Sequence, residues 1–247
     1  MTYCLAIKTN TGIVFASDSR TNAGVDYIRT YSKMHVFAKP GDRSLVLLTS
    51  GNLATTQAVV NTIQNDIEDE AKPNLFTCRH LHDAAKYIGE ISRKEQLRHA
   101  AAFQDAGANA GASATMILGG QIAGRPPEII LIYPEGNYIS ASPETPYLQI
   151  GETKYGKPIL DRIIANSTSL EDAARCAMVS LDSTMRANLS VGPPLELAIY
   201  RADSLEKPIQ RVFKLQSPFI KSLQKSWGEG LQRAFKRLPR FDWENSQ

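Results

Sequence analysis

Residues 2–18 read TYCLAIKTNTGIVFASD, two apolar runs separated by Asn10-Thr11-Gly12. Thr2 to Thr9 and Ile13 to Ser17 have the composition of strands and the Asn-Thr-Gly link suits a tight turn, so the segment reads as a β-hairpin. Antiparallel pairing returns the end of the second strand to the beginning of the first. Asp18, which directly follows the second run, is therefore within a few residues' reach of Thr2. Removal of Met1 would leave a threonine hydroxyl and a free α-amine on one residue. Such an amine has an ordinary pKa of ~8 and can take the hydroxyl proton near neutral pH, which makes Thr2 a candidate nucleophile carrying its own base. Lys33 stands ahead of a further apolar run. A lysine held beside that carboxylate and that amine stabilises negative charge forming on the Thr2 oxygen, and by repulsion it favours the neutral amine. Taken singly, these residues also read as a trimmed start, a turn acid and an edge-strand charge.

Outward from the hairpin, Ser32 to Phe37 and Ser44 to Ser50 read as strands joined by a Lys39-Pro40-Gly41-Asp42 turn. From Asn52 the period changes, and Leu53, Val60, Ile63 and Ile67 share one face of a helix reaching about Glu70. A second helix over His80 to Phe103 sets Ala84, Ala85, Ile88, Ile91 and Leu97 at helical spacing and ends in the Gly- and Ala-rich stretch Asp105 to Ala112. Strands resume at Ser113 to Leu118, turn at Gly119-Gly120, and continue through Glu128 to Tyr133 and, past Pro134-Glu135-Gly136, Tyr138 to Ala141. Helices follow over Lys157 to Ile164 and Ser169 to Ala187, the latter with a stripe of Leu170, Ala174, Ala177, Met178, Leu181 and Met185. Leu195 to Arg201 returns to strand. The order β, αα, β, αα, β predicts the α+β class: two sheets packed face to face, each covered by a helix pair, in a four-layer αββα sandwich. A doubly wound parallel sheet would need βαβ alternation, which the sequence lacks.

Length and composition set the remaining bounds. A chain of 247 residues, 43% hydrophobic, can bury a sizeable core in one main domain, read here as residues 1–217. With 28 basic against 25 acidic residues the net charge is +3, without the field of a dedicated nucleic-acid binder. The start lacks a basic-then-apolar leader and no apolar run reaches the ~18 residues of a membrane span, so the expectation is a cytoplasmic protein with neither nucleic-acid nor membrane partner. Cys4, Cys78 and Cys176 are scattered and fit reduced, buried thiols. His35, His80, His82 and His99 lack metalloprotease spacing, and no metal or cofactor is expected. Ser113, in Gly111-Ala112-Ser113-Ala114-Thr115, lacks the second glycine of a nucleophile elbow. Residues 218–247 differ in kind. After Pro218, the residues Phe219, Leu223, Trp227, Leu231 and Phe235 recur every four positions among Lys221, Lys225, Arg233, Lys236, Arg237 and Arg240, giving an amphipathic helical extension. Gly228 and Gly230 weaken it and Pro239 ends it. It reads either as a helix docked on its own core or as an arm on a neighbouring subunit.

The run Phe15-Ala16-Ser17-Asp18-Ser19-Arg20-Thr21-Asn22-Ala23-Gly24, then Lys33, then Leu47-Leu48-Thr49-Ser50-Gly51, resembles the proteasome β-type peptidases, N-terminal nucleophile hydrolases with this αββα sandwich. Thr115 to Gly120, Ile132 to Gly136 and Tyr147 to Gly151 follow the same order, and the resemblance covers about residues 2 to 201. Thr2 with no propeptide before it, Thr-Asn-Ala-Gly after Arg20 and a basic C-terminal extension are most similar to the bacterial branch called Anbu. The peptidase subunit of HslUV is a near relative without such an extension.

The resemblance implies that Thr2 is the nucleophile, Asp18 the acid behind it and Lys33 the catalytic lysine. It gives Gly51 the N–H facing the oxyanion, Thr21 a substrate-backbone position, and Thr49 and Leu53 a first specificity pocket. Ser190 corresponds to a serine supporting the N-terminus. The usual acid three residues before it is Ala187 here, Asp182 stands eight residues before it, and Glu152 replaces the usual serine after Gly151. The implied chemistry is acyl transfer on a peptide or amide substrate, without cofactor, in a homo-oligomeric ring or open-ring assembly. Ala187 and Glu152 also admit a proteasome-like scaffold or binding assembly with little catalysis, and a small amide metabolite is an alternative substrate. Neither ring size nor an ATPase partner is legible.

Overall fold

A computed structural model describes residues 2–22, 28–105 and 111–245. Met1, Ala23-Gly24 of the quoted motif, and residues 106–110 of the Gly- and Ala-rich stretch lie outside these. The hairpin is present as β1 (Tyr3–Thr9) and β2 (Gly12–Asp18), paired antiparallel with Cys4 opposite Ser17 and Thr9 opposite Gly12. A short ribbon of β3 (Arg20–Asn22) and β4 (Ile28–Thr30) follows, then β5 (Met34–Lys39), β6 (Arg43–Gly51), α1 (Leu53–Glu68) and α2 (Leu81–Asp105). The second half runs through β7 (Ala114–Ile122), β8 (Glu128–Ile132), β9 (Tyr138–Ser140), β10 (Tyr147–Gly151), α3 (Lys157–Ile163) and α4 (Leu170–Ala187). It closes with β11 (Leu195–Arg201), β12 (Ile209–Phe213) and α5 (Pro218–Phe235).

One sheet has the order β10-β1-β2-β11-β12 and the other β5-β6-β7-β8-β9, with antiparallel neighbours throughout. Side chains alternate across a strand, and here each face meets a different apolar layer. Cys4, Ala6, Ile13 and Phe15 enter the space between the sheets with Val46, Leu48 and Ile117. Tyr3, Leu5, Val14 and Ala16 face outward onto Leu160 of α3 and Ala177 and Leu181 of α4. Leu45, Leu47 and Leu118 face the opposite way onto Val59 and Ile63 of α1 and Ile88 of α2. Burial on both faces is why these strands read as nearly unbroken apolar runs. The result is the predicted α+β, four-layer αββα sandwich.

The structure corrects several local readings. Gly119-Gly120 is not a turn but the middle of β7. A Cβ at Gly119 would come within 2.6 Å of the Phe15 ring, and one at Gly120 would meet the Ser44 carbonyl at 2.1 Å. The glycines therefore admit the opposite sheet and the neighbouring strand, with Gly120 at φ +145°. Leu97 is 64% exposed, because the stripe through Ala84, Ala85 and Ile88 continues into Ser92 and Glu95, which are buried in its place. Ribbon β3–β4 and edge strand β12 were not anticipated; β12 is exposed along most of its length and carries no apolar alternation to announce it. Helix α5 passes unbroken through Gly228 and Gly230. Its fully buried residue is Ile220, 2% exposed, which lies off the four-residue row read from the sequence; on that row Leu223 packs partly buried against the same core, while Phe235 is 73% exposed. Among the described residues no helix is long and apolar enough to cross a membrane.

Candidate active site

The site grows from the open end of the hairpin. The Tyr3 N–H donates to Asp18 Oδ1 at 3.0 Å, so the backbone beside Thr2 is anchored on the carboxylate that ends β2. Lys33 stands just before β5, where its carbonyl accepts the Thr49 N–H at 2.9 Å. That bond fixes the lysine backbone against β6, and its Nζ donates to Asp18 Oδ1 at 2.7 Å and to the Arg20 carbonyl at 2.7 Å. Asp18 Oδ2 accepts the Gly192 N–H at 3.2 Å from the loop before β11. Asp18 is fully buried and the Lys33 side chain is 7% exposed. Burial pushes the Asp18 carboxyl above its usual range, with the adjacent ammonium and two backbone N–H groups pulling it back down. A buried charge pair of this kind is held by geometry: removal of either partner leaves the other unmatched.

Thr2 is itself mostly buried, and its carbonyl accepts the Glu152 N–H at 2.7 Å. Tyr3 pairs with Gly151 across β1 and β10, and a Cβ at Gly151, whose φ is +83°, would sit 1.9 Å from the Thr2 carbonyl oxygen. Only a glycine lets β10 approach the candidate nucleophile this closely. Across the opening, Gly51 ends β6 at φ +114°, where a Cβ would meet the Ser113 carbonyl at 2.2 Å. Asn52 then caps α1, its side chain accepting the Thr55 N–H at 3.1 Å. Gly51 thus borders a helix N-terminus, where the dipole favours negative charge.

Thr2, Lys33, Gly51, Thr21, Thr49 and Leu53 all line one cleft of about 510 Å³. Asp18 lies beneath it, and the structure therefore brings these sequence-predicted residues together. Three others stand outside its wall. Glu152 sits directly behind Thr2, its Oε2 accepting from Asn188 Nδ2 at 3.0 Å. The Ser190 backbone N–H donates to Asn188 Oδ1 at 2.9 Å in the turn after α4. Asp182 does not reach Thr2: its carboxylate accepts from Gln224 of α5 at 2.6 Å and from Arg186 at 3.1 Å. The helical period of α4 turns it to α5.

Sequence reasoning missed Arg20, Ser32 and His35 on the cleft wall and Asn188 behind it. His35 had a signal, since strand alternation from Lys33 puts it on the same face. Burial lowers its imidazole pKa to about 4, so it is neutral at neutral pH. Asn188 had none, because its partner Glu152 is distant in sequence. Among the described residues no group of His, Cys, Asp or Glu could hold a metal ion.

The proteasome subunit family matches residues 2–200 of the chain, which includes every cleft residue named above. The chain belongs to the proteasome family, on its Anbu branch. Anbu from Yersinia bercovieri is 44% identical, with a TM-score of 0.90 over 97% of this chain and 99% of that one. The Anbu of Pseudomonas aeruginosa, solved as a helical assembly, is 45% identical, with a TM-score of 0.91 over 97% and 98%. Anbu from Hyphomicrobium sp. strain MC1 is 40% identical, with a TM-score of 0.86 over 97% and 99%. No curated protein matches the chain. The similarity to Anbu spans α5 as well as the sandwich.

Proposed function

We propose that the chain is a threonine-type peptidase or amide hydrolase in which Thr2, freed by removal of Met1, is the N-terminal nucleophile. The observation that carries this reading is the buried Lys33–Asp18 pair at 2.7 Å, whose carboxylate also accepts the Tyr3 N–H next to Thr2. In this mechanism the Thr2 oxygen attacks an amide carbonyl while the α-amine takes the hydroxyl proton and passes it to the leaving amine. Lys33, held by Asp18, favours the developing negative charge at Thr2. The Gly51 N–H stabilises the tetrahedral oxyanion, and water then releases the acyl group.

Mass spectrometry of the purified protein should show loss of Met1, and an electrophilic peptide should form one adduct, on Thr2. Thr2→Ala should abolish both adduct and turnover. An active sample that retains Met1 sinks the mechanism. One observation favours a second reading, a scaffold or binding assembly with little catalysis: Asp182, the acid of α4 nearest the supporting position in sequence, is engaged by Gln224 and Arg186 instead. Absence of any adduct across a broad panel of electrophiles would select that reading.

We further infer that the protein works as a homo-oligomer in the cytoplasm, with residues 218–247 as the subunit-contacting extension of a domain formed by residues 1–217. The exposed Leu231, Phe235, Leu238, Phe241 and Trp243 support that role, and the free thiols of Cys4, Cys78 and Cys176 suit a reducing compartment.

A further inference from the structure

We propose that Glu152, oriented by Asn188, is a positioning residue that holds the Thr2 α-amine in its protonated form and so restrains the nucleophile near neutral pH. The inference rests on the reading of Thr2 as a freed N-terminus. Glu152 follows Gly151, the residue in closest approach to Thr2, and its own N–H is bonded to the Thr2 carbonyl at 2.7 Å. Its half-buried carboxylate is fixed by Asn188 Nδ2 at 3.0 Å, and Asn188 Oδ1 is in turn fixed by the Ser190 N–H at 2.9 Å. The partner that the structure gives this carboxylate is a neutral amide, and Glu152 forms no ion pair among the described residues.

The other charged groups around Thr2 have partners of their own, two of these pairings ionic and the rest neutral. Asp18 and Lys33 compensate each other at 2.7 Å. Arg20 Nη1 donates to the Leu189 carbonyl at 2.7 Å, directed toward the loop before β11. Glu196 of β11 accepts from the Ser17 and Ser32 hydroxyls at 3.2 and 2.9 Å. Asp182 and Arg186 of α4 pair with each other at 3.1 Å, and burial keeps His35 neutral. Glu152 and Glu196 are thus both anions held by neutral groups, and Glu152 is the one whose backbone is bonded directly to Thr2. An adjacent anion favours the ammonium over the amine. Below the amine's titration point, raising its pKa by about one lowers the population of the base form roughly tenfold. A serine at this position would contribute no such charge.

The test uses the full-length chain with Met1 absent, verified by mass. Trace acetylation of the N-terminus with acetic anhydride, followed across pH, reads the amine titration without turnover. The rate of Thr2 labelling by a peptide vinyl sulfone reads the nucleophile in parallel. Glu152→Gln and Glu152→Ser should move both curves toward acid by about one on the pH scale and speed labelling near neutral pH by up to about tenfold. Glu152→Asp should stay close to the parent curve, and Asn188→Ala, which releases the carboxylate, should move it in the same direction by less. A purely structural role would lower the melting temperature without moving the titration. Superimposed acetylation curves for the parent and Glu152→Gln overturn the proposal, with Glu152→Ser as the second variant should Gln fold poorly. If vinyl sulfone never labels Thr2 while the acetylation curves separate, the peptidase reading fails and the role of Glu152 stands.

Discussion

At the N-terminal end of the sandwich, Asp18 is fully buried yet holds Lys33, the Tyr3 N–H and the Gly192 N–H, using both carboxylate oxygens. At the C-terminal end, α5 seats Ile220 in the core and then carries Leu231 and Phe235 out into solvent, followed by Leu238, Phe241 and Trp243. One region satisfies expensive groups inside a single chain, whereas the other leaves inexpensive apolar groups uncovered. Buried charge has to be matched within the chain because its desolvation is severe. Exposed apolar surface is tolerable singly, but a contiguous set marks a face that another molecule covers.

Substitutions at the two ends should therefore fail in different ways. The largest effect is expected at Lys33. Lys33→Met strands the Asp18 carboxylate and should cost ~3–5 kcal/mol of unfolding free energy by urea titration, along with Thr2 labelling. That cost should depend on pH in a definite direction. The folded pKa of Asp18 is raised by burial, so its favourable contribution is full below the ordinary carboxylate value and is lost as pH rises through the raised one. Without Lys33, the main opposing influence, the carboxyl rises further. The penalty of Lys33→Met should then be smaller near pH 5 than near pH 8, and a penalty that grows toward acid contradicts the assignment.

A smaller effect is expected where α5 meets the core. Ile220→Ala should cost about 2–3 kcal/mol, read as earlier proteolysis of the segment before α5 with the sandwich transition little changed. The smallest effect on the fold belongs to Phe235→Ser. It should move unfolding of the single chain by no more than ~0.5 kcal/mol while lowering the mass of the assembly in analytical ultracentrifugation. A Phe235 variant that melts as Lys33→Met does would erase the contrast, and one that leaves assembly untouched would show that another face joins the subunits.

Much of the sandwich was legible because residues buried on two faces write long apolar runs, and helices packed on one face write a 3.6-residue stripe. The stripe of α4 is an instance: Leu170, Ala174, Ala177, Met178 and Leu181 are buried as the spacing required, and Met185 is partly buried against the same core. Ser169, read as the helix start, caps it by accepting the Asp172 N–H at 3.1 Å. Gly119-Gly120 misled because glycine permits a turn and a close approach equally, and only the Phe15 ring and the Ser44 carbonyl decide between them. Leu97 misled because a helix can bury Ser92 and Glu95 where the stripe passes over them. In the site, Thr2 and Asp18 could be joined from strand order, whereas Lys33 was placed beside them by the resemblance. Asp182 and Glu152 could not be assigned, since each carboxylate is oriented by an amide far away in sequence, Gln224 for one and Asn188 for the other.

The sequence by itself determined the layer order and the hairpin that returns Asp18 to Thr2, because periodicity and strand direction are local properties of the chain, and its resemblance to a family pointed to Lys33 and Gly51. Tertiary structure alone decided which carboxylates are matched and by what. That outcome depends on side chains brought together from residues 18, 33, 152, 182, 188 and 224, and electrostatic interaction acts through distance in space, whatever the separation along the chain.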